Sequence, residues 1–219
     1  MTSLHAHTPL LIAMAGLPGT GKSTLAAALA KRLPALVLDK DDIRTRLFSP
    51  GEIEYSVRQD DLCMDVAFLI AAYVLLAEPS RTIILDGRTF SQPGQVEHFL
   101  SRSAELRARP VIIECICDDA VAAQRLERDQ RTAQHPARNR SFALYLHLKG
   151  NAQPLTRARL VLDTSRLTRE ESVEQAVAYI TTASALREGD DESHSIVQDA
   201  GGGLSFERGS QIENEEKTT

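Results

Sequence analysis

Tryptophan is absent from this 219-residue chain and aromatic residues make up only 5% of it, so any core must be built from aliphatic side chains. Cysteine is scarce too. Cys63, Cys115 and Cys117 are odd in number, and two of them sit inside an apolar run, which excludes a disulfide framework. No further ligands stand at metal spacing beside Cys115 and Cys117, which excludes a zinc site of the usual pattern. Long apolar runs are also missing: Val66 to Ala77 is the longest, well short of the roughly 18 residues a membrane span requires. The first residues, Met1 to His7, lack the basic stretch of a secretion signal. The reading is therefore a cytoplasmic protein with reduced cysteines.

Charge is small and unevenly placed. Residues 187–219 carry nine acidic and three basic residues, while the rest of the chain is close to neutral. A balanced body argues against broad, non-specific binding of nucleic acid, though not against a local basic cleft. Hydrophobic residues reach 42%, enough for one domain of about 150–190 residues with a tail. The expected organisation is a flexible N-terminus over 1–8, one domain over 9–186, and a disordered acidic tail over 187–219, where periodicity stops and Gly201-Gly202-Gly203 appears.

Within the domain, short apolar runs alternate with amphipathic stretches. Leu10 to Ala15, Ala35 to Leu38, Thr82 to Leu85, Val111 to Cys117 and Arg159 to Leu162 read as five buried strands. Ser23 to Leu33 reads as a helix, as does the stretch opened by Ser91 with Pro93 in its first turn. Thr168-Arg169-Glu170-Glu171 is a capping box that opens the last helix. Phe142 to Leu148 fits both helix and strand periods and is placed on a helix. Tyr55 to Ala77 reads as a long helix with an exposed, charged first half and a buried, apolar second half. Continuous apolar strands alternating with helices predict a parallel sheet covered on both faces, a three-layer α/β/α domain.

The chemistry starts at Gly16-Leu17-Pro18-Gly19-Thr20-Gly21-Lys22-Ser23, followed by Thr24. This is the phosphate-binding pattern G-x-x-x-x-G-K-[ST], set between a strand and a helix as it must be. Glycines let backbone N–H groups turn inward around phosphate oxygens, and the helix adds its positive end. Lys22 reaches the β- and γ-phosphates, and the Ser23 hydroxyl is placed to coordinate Mg²⁺. A nucleoside triphosphate is the implied ligand. No Asn-Lys-x-Asp guanine motif is present, and the domain is too short to carry the helical sensor domain of a full motor. Those absences favour a kinase over a switch or motor.

After the second strand, Asp39-Lys40-Asp41-Asp42-Ile43-Arg44 brings three carboxylates and two cations to the carboxyl end of the sheet, where ligands bind in open α/β folds. A kinase acting on an alcohol needs a carboxylate near the acceptor hydroxyl. Helix capping by Asp41 or Asp42 is the plainer use of the same residues. Ile83-Ile84-Leu85-Asp86 ends an apolar strand in an acid, placing Asp86 near the Mg²⁺ shell, with Arg88 a lesser candidate for the pocket. From Arg125 to Arg140 there are five arginines in 16 residues, running through His135-Pro136-Ala137-Arg138. Arg128 and Arg131 lie three apart and can reach a transferring phosphoryl group, where a guanidinium stabilises developing charge. A solvated basic helix is the alternative.

On these residues the chain resembles the P-loop kinases that include phage-type polynucleotide 5′-kinase, chloramphenicol phosphotransferase and the zeta toxins. The resemblance spans roughly residues 10–180. It implies a five-stranded parallel sheet in the order 2-3-1-4-5 with an arginine-rich lid, and ATP with Mg²⁺ as cofactors. It further implies Asp41 as general base, Arg44 on the acceptor side, and adenine near Asp163-Thr164-Ser165. Asp39 and Asp42 stand close enough to compete with Asp41 for the base role. The expected activity is transfer of the γ-phosphoryl group to a hydroxyl of a small-molecule acceptor. A polynucleotide 5′-hydroxyl acceptor and a non-catalytic nucleotide switch are the alternatives.

Overall fold

The structure is a computed structural model, and it describes residues 8–132, 139–185, 194–198 and 204–208. Five strands form one parallel sheet: β1 (Leu10–Ala15), β2 (Leu36–Asp39), β3 (Thr82–Asp86), β4 (Arg109–Ile116) and β5 (Leu160–Asp163). Their spatial order is β2-β3-β1-β4-β5, with every pairing parallel. This is the predicted order. β1 lies at its centre and is almost entirely buried, because Leu11, Ile12, Ala13 and Met14 send side chains alternately into two separate cores.

One core holds Leu11, Ala13 and Leu85 against helices α3 (Val57–Ala77) and α4 (Pro93–Glu105). The other holds Ile12, Met14 and Ile84 against α1 (Lys22–Arg32) and α7 (Arg169–Ala185). Helices α2 (Lys40–Leu47), α5 (Asp119–Thr132) and α6 (Phe142–Asn151) complete the domain, α5 and α6 packing on each other around Ala122, Leu126 and Tyr145. The ambiguous stretch from Phe142 is thus helical, opened by Ser141, whose hydroxyl accepts from Leu144 N at 3.1 Å. The capping box at Thr168 forms as read: Thr168 N donates to the Glu171 carboxylate at 2.8 Å, and Glu171 N donates to the Thr168 hydroxyl at 3.2 Å. At α4 the expected cap does not form. Gln92 takes that place without a side-chain bond, while Ser91 is drawn to the Thr89 hydroxyl at 2.8 Å.

α3 corrects a second expectation. Its apolar second half is not buried all round. Cys63, Met64, Ala67, Phe68 and Ala71 face the sheet, while Leu69, Tyr73 and Leu76 stay 62%, 76% and 84% exposed. The helix packs on the sheet along a single stripe whose alanines allow close approach. Among the described residues no layer covers its back. In the tail expected to be disordered, β6 (His194–Gln198) and β7 (Leu204–Arg208) pair antiparallel, with Gly201-Gly202-Gly203 between them in the sequence. The remaining residues of that expected tail, like those of the N-terminus before 8, lie outside the described residues.

Candidate active site

The carboxyl ends of β1, β2 and β3 and the first turns of α1 and α2 meet at one edge of the sheet, and the site is assembled there. The loop from Gly16 to Gly21 leaves β1 and turns back into α1. Gly16 has φ +124, and a Cβ on it would stand 2.2 Å from the Cys115 carbonyl oxygen, so no other residue fits this crossing. Gly16 N donates to Thr89 O at 2.9 Å, tying the loop to the segment after β3. The Leu17 carbonyl accepts from the Thr20 hydroxyl and from Lys22 Nζ, both at 2.8 Å. Lys22 is buried, and burial lowers its pKa to about 8, with the negative Asp86 pulling the other way. An ammonium held in so dry a place is a ready partner for an anion.

A cleft of about 390 Å³ opens beside the loop, lined by Gly19, Gly21, Lys22, Ser23 and Thr24 on one side. Arg125, Arg128 and Arg140 from the far side of the sheet and Arg169 from α7 complete it, with Thr164 at its end. The cleft therefore unites the loop, the arginine-rich segment and the turn after β5. Arg125 clasps these parts together. Its guanidinium donates to Gly19 O at 3.2 Å, to the Thr164 hydroxyl at 2.8 Å and to the Thr164 carbonyl at 2.8 Å. The Thr164 hydroxyl donates in turn to Thr20 O at 2.9 Å. Of the two arginines singled out in the sequence, Arg128 lines the cleft and Arg131 does not. Arg131 points outward, 69% exposed, beside Glu127 at 3.8 Å. Arg125 and Arg128, also three apart, are the pair on α5 that faces the cleft, while Arg131, one turn further along, extends toward Glu127. His135, Pro136, Ala137 and Arg138 lie outside the described residues.

On the other side of the loop the chemistry changes sign. β2 and β3 run in register, so Asp39 and Asp86 stand side by side at their ends. Asp39 is spent on structure: its carboxylate accepts from Asp41 N at 2.7 Å and Asp42 N at 3.3 Å, capping α2. Burial, with Asp86 and Asp41 nearby, raises its pKa to about 6. Asp42 faces solvent. Asp41 is buried and bonded to the Arg44 guanidinium, and it lies 3.7 Å from Lys40 Nζ. Of the three adjacent carboxylates, Asp41 alone is both sheltered and not committed to capping.

Asp86 is 1% exposed, and its Oδ1 has no hydrogen-bond partner. An orphaned buried carboxylate oxygen close enough to Lys22 to act on its charge fits a hydrated divalent cation held jointly with phosphates. Among the described residues no group of three or more His, Cys, Asp or Glu is placed to hold a metal by itself.

Two residues that sequence reading left as surface charges belong to this edge. Asp60 and Asp61, early in α3, reach the buried cations of this edge while staying 28% and 48% exposed. Asp60 bonds Arg44 and takes Lys40 Nζ at 2.8 Å, while Asp61 accepts from Arg88 Nη2 at 2.5 Å. Tyr55 stacks its ring under Arg44, 5.1 Å from centroid to guanidinium. Nothing local announced this role, since an acidic first turn is ordinary for a helix. The signal was Arg44 itself, which at 1% exposure needs more than one partner.

The fold and this loop are shared with proteins already known. An AAA domain family model matches residues 11–149. An adenylyl-sulfate kinase of Bacillus pumilus (strain SAFR-032) is 26% identical over 189 residues, covering 80% of this chain and 86% of its own. Among solved structures, a candidate kinase of Chloroflexus aurantiacus J-10-fl superposes with a TM-score of 0.63 at 25% identity, over 78% of this chain and 98% of that one. A gluconokinase of Sinorhizobium meliloti 1021 gives 0.58 at 17% identity, over 81% and 95%, a likeness of fold. The Mycobacterium tuberculosis APS kinase, solved with AMPPNP and APS, gives 0.59 at 16%, over 80% and 98%. With the family model covering most of the domain and the loop, sheet order and cleft all in place, this chain belongs to the AAA domain family, among P-loop proteins whose relatives are kinases.

Proposed function

We propose that this protein is an ATP-dependent kinase that transfers the γ-phosphoryl group to a hydroxyl of a small-molecule acceptor. The observation that carries this is the placement of Asp41. It is a buried carboxylate, paired with Arg44, on the same sheet edge as Lys22 and Asp86 and across the loop from the nucleotide cleft. A phosphotransferase needs a sheltered carboxylate near the acceptor hydroxyl, and Asp41 supplies one at that edge. The kinase relatives support the same class of reaction, and the AMPPNP bound to one of them supports ATP as donor.

In this reading Gly16, Leu17, Pro18, Gly19, Thr20 and Gly21 wrap the triphosphate with backbone N–H groups, and Thr24 borders it. Lys22 leaves the Leu17 carbonyl for the β- and γ-phosphates, exchanging a neutral acceptor for an anionic one. Ser23 and Asp86 hold the hydrated Mg²⁺, which supplies charge neutralisation at the phosphates when bound. Asp41 accepts the proton of the attacking hydroxyl. Arg44 fixes the direction of the Asp41 carboxylate. Arg128 closes on the transferring group from the cleft wall, and Arg131 joins it only by turning inward from its present outward position. The protein acts in the cytoplasm; no helix among the described residues is long and apolar enough to cross a membrane.

The test is ATP turnover with a panel of hydroxyl compounds, for wild type, Lys22→Ala and Asp41→Asn. Acceptor-dependent ADP release that both substitutions abolish supports the assignment. Wild-type transfer by Asp41→Asn removes Asp41 as the base. Phosphorylation of a 5′-hydroxyl oligonucleotide in preference to small compounds makes the acceptor a polynucleotide end.

A further inference from the structure

The acceptor edge shows which charge its substrate carries. Three buried cations stand there, Lys40, Arg44 and Arg88, and each is already matched by a carboxylate of this chain. Arg44 holds both Asp41 and Asp60, Lys40 shares the same two, and Arg88 is held by Asp61. An anionic acceptor would have to displace Asp61 from Arg88 or lie against carboxylates, and either route costs desolvation and like-charge repulsion. Arg88, 7% exposed, nevertheless keeps Nε and Nη1 without hydrogen-bond partners, and Arg44 keeps Nε so. Those N–H groups need oxygen acceptors and, with Asp61 beside them, need no charge.

Resting on the kinase reading above, we infer that the acceptor is an uncharged polyhydroxy compound, a sugar or polyol, with Arg88 donating to its hydroxyl oxygens and Asp61 acting as the specificity residue that keeps anions out. The anionic acceptors named for relatives, adenylyl sulfate and gluconate, are then poor substrates here.

The experiment measures kcat/KM for the full chain with ATP and Mg²⁺, using glucose, sorbitol and N-acetylglucosamine as neutral acceptors. Gluconate and adenylyl sulfate serve as anions and glucosamine as a cation. The expected result is that a neutral acceptor exceeds both anions by at least about tenfold, the discrimination of one charge-assisted hydrogen bond. Asp61→Asn, which releases Arg88, narrows that margin by at least about tenfold, while Asp61→Glu, which keeps the charge, leaves it within about twofold. A wild-type preference for gluconate, adenylyl sulfate or glucosamine overturns the proposal and leaves the kinase reading standing. An Asp61→Asn protein that loses all acceptors equally, its margin unmoved, shows Asp61 to be merely structural and also overturns it. If ATP binds and no compound is phosphorylated, the kinase reading itself falls, and the acceptor class with it.

Discussion

The two sides of the phosphate-binding loop are built from opposite charges. Toward α5 and α7 the cleft is walled by Arg125, Arg128, Arg140 and Arg169 with Lys22 at its base, and Asp129 is the one carboxylate among its lining residues. Toward α2 and α3 the edge holds Asp39, Asp41, Asp60, Asp61 and Asp86 around Lys40, Arg44 and Arg88. A cationic wall suits a triphosphate, whose charge is the dominant cost of its burial. The opposite edge spends its cations on holding its own carboxylates in place, so they orient groups rather than attract an anion. The loop is the boundary between an attracting half and an orienting half.

The heaviest blow to the attracting half is Lys22→Ala, expected to lower phosphoryl transfer roughly a thousandfold, measured as kcat/KM. On the orienting half, Asp41→Asn is expected to lower kcat about a hundredfold while the dissociation constant for ATP stays within a factor of about two. That split between the two variants is what the two halves require. A loss of ATP affinity in Asp41→Asn would merge them.

Stability separates the halves as well. Asp60→Ala leaves Arg44 and Lys40 short of a partner in a buried setting and is expected to cost about 3 kcal/mol in urea denaturation. Arg131→Ala, on an exposed residue, is expected to change stability by less than about 0.5 kcal/mol.

The smallest effects are in pH dependence, and they have opposite signs. Asp39 has a pKa raised to about 6, so its contribution is fully present below the ordinary carboxylate range and is lost as pH rises through about 6. Asp39→Asn, which keeps a capping oxygen, should therefore gain stability over wild type at pH 8 and not at pH 4, as read by thermal unfolding without nucleotide. Lys22 has a pKa lowered to about 8, so its contribution is present above the ordinary lysine value and is lost as pH falls through about 8. Phosphates favour its charged form. ATP binding near pH 9 should accordingly take up a proton, visible as a buffer-dependent enthalpy in calorimetry, and Lys22→Met should abolish the uptake.

How much of the site was legible depended on whether its signal was local. The loop was fully legible, since eight consecutive residues carry the backbone turns and the lysine together. Asp41 and Arg44 were visible as a cluster after β2, yet the choice among three neighbouring aspartates was not. That Asp39 and not Asp41 or Asp42 caps the helix is a matter of backbone direction at Asp39, and on it our proposal of Asp41 rests. Asp60 and Asp61 were passed over because helices commonly begin with acids. Only the approach of α3 to α2 gives them Lys40, Arg44 and Arg88 to hold. The outward direction of Arg131 was illegible for a related reason: spacing along a helix says which residues are near one another, not which way each long side chain extends.

By itself the sequence determined the strands, the layer order and the nucleotide loop, because apolar runs bounded by turns and a glycine-lysine pattern act over a few residues. The structure decided what lies across gaps in the chain. It set the opposed charges of the two halves, the outward apolar face of α3, and the clasp from Arg125 to Thr164. Each of these depends on one element's orientation against another, and burial energy summed over the whole core sets that orientation.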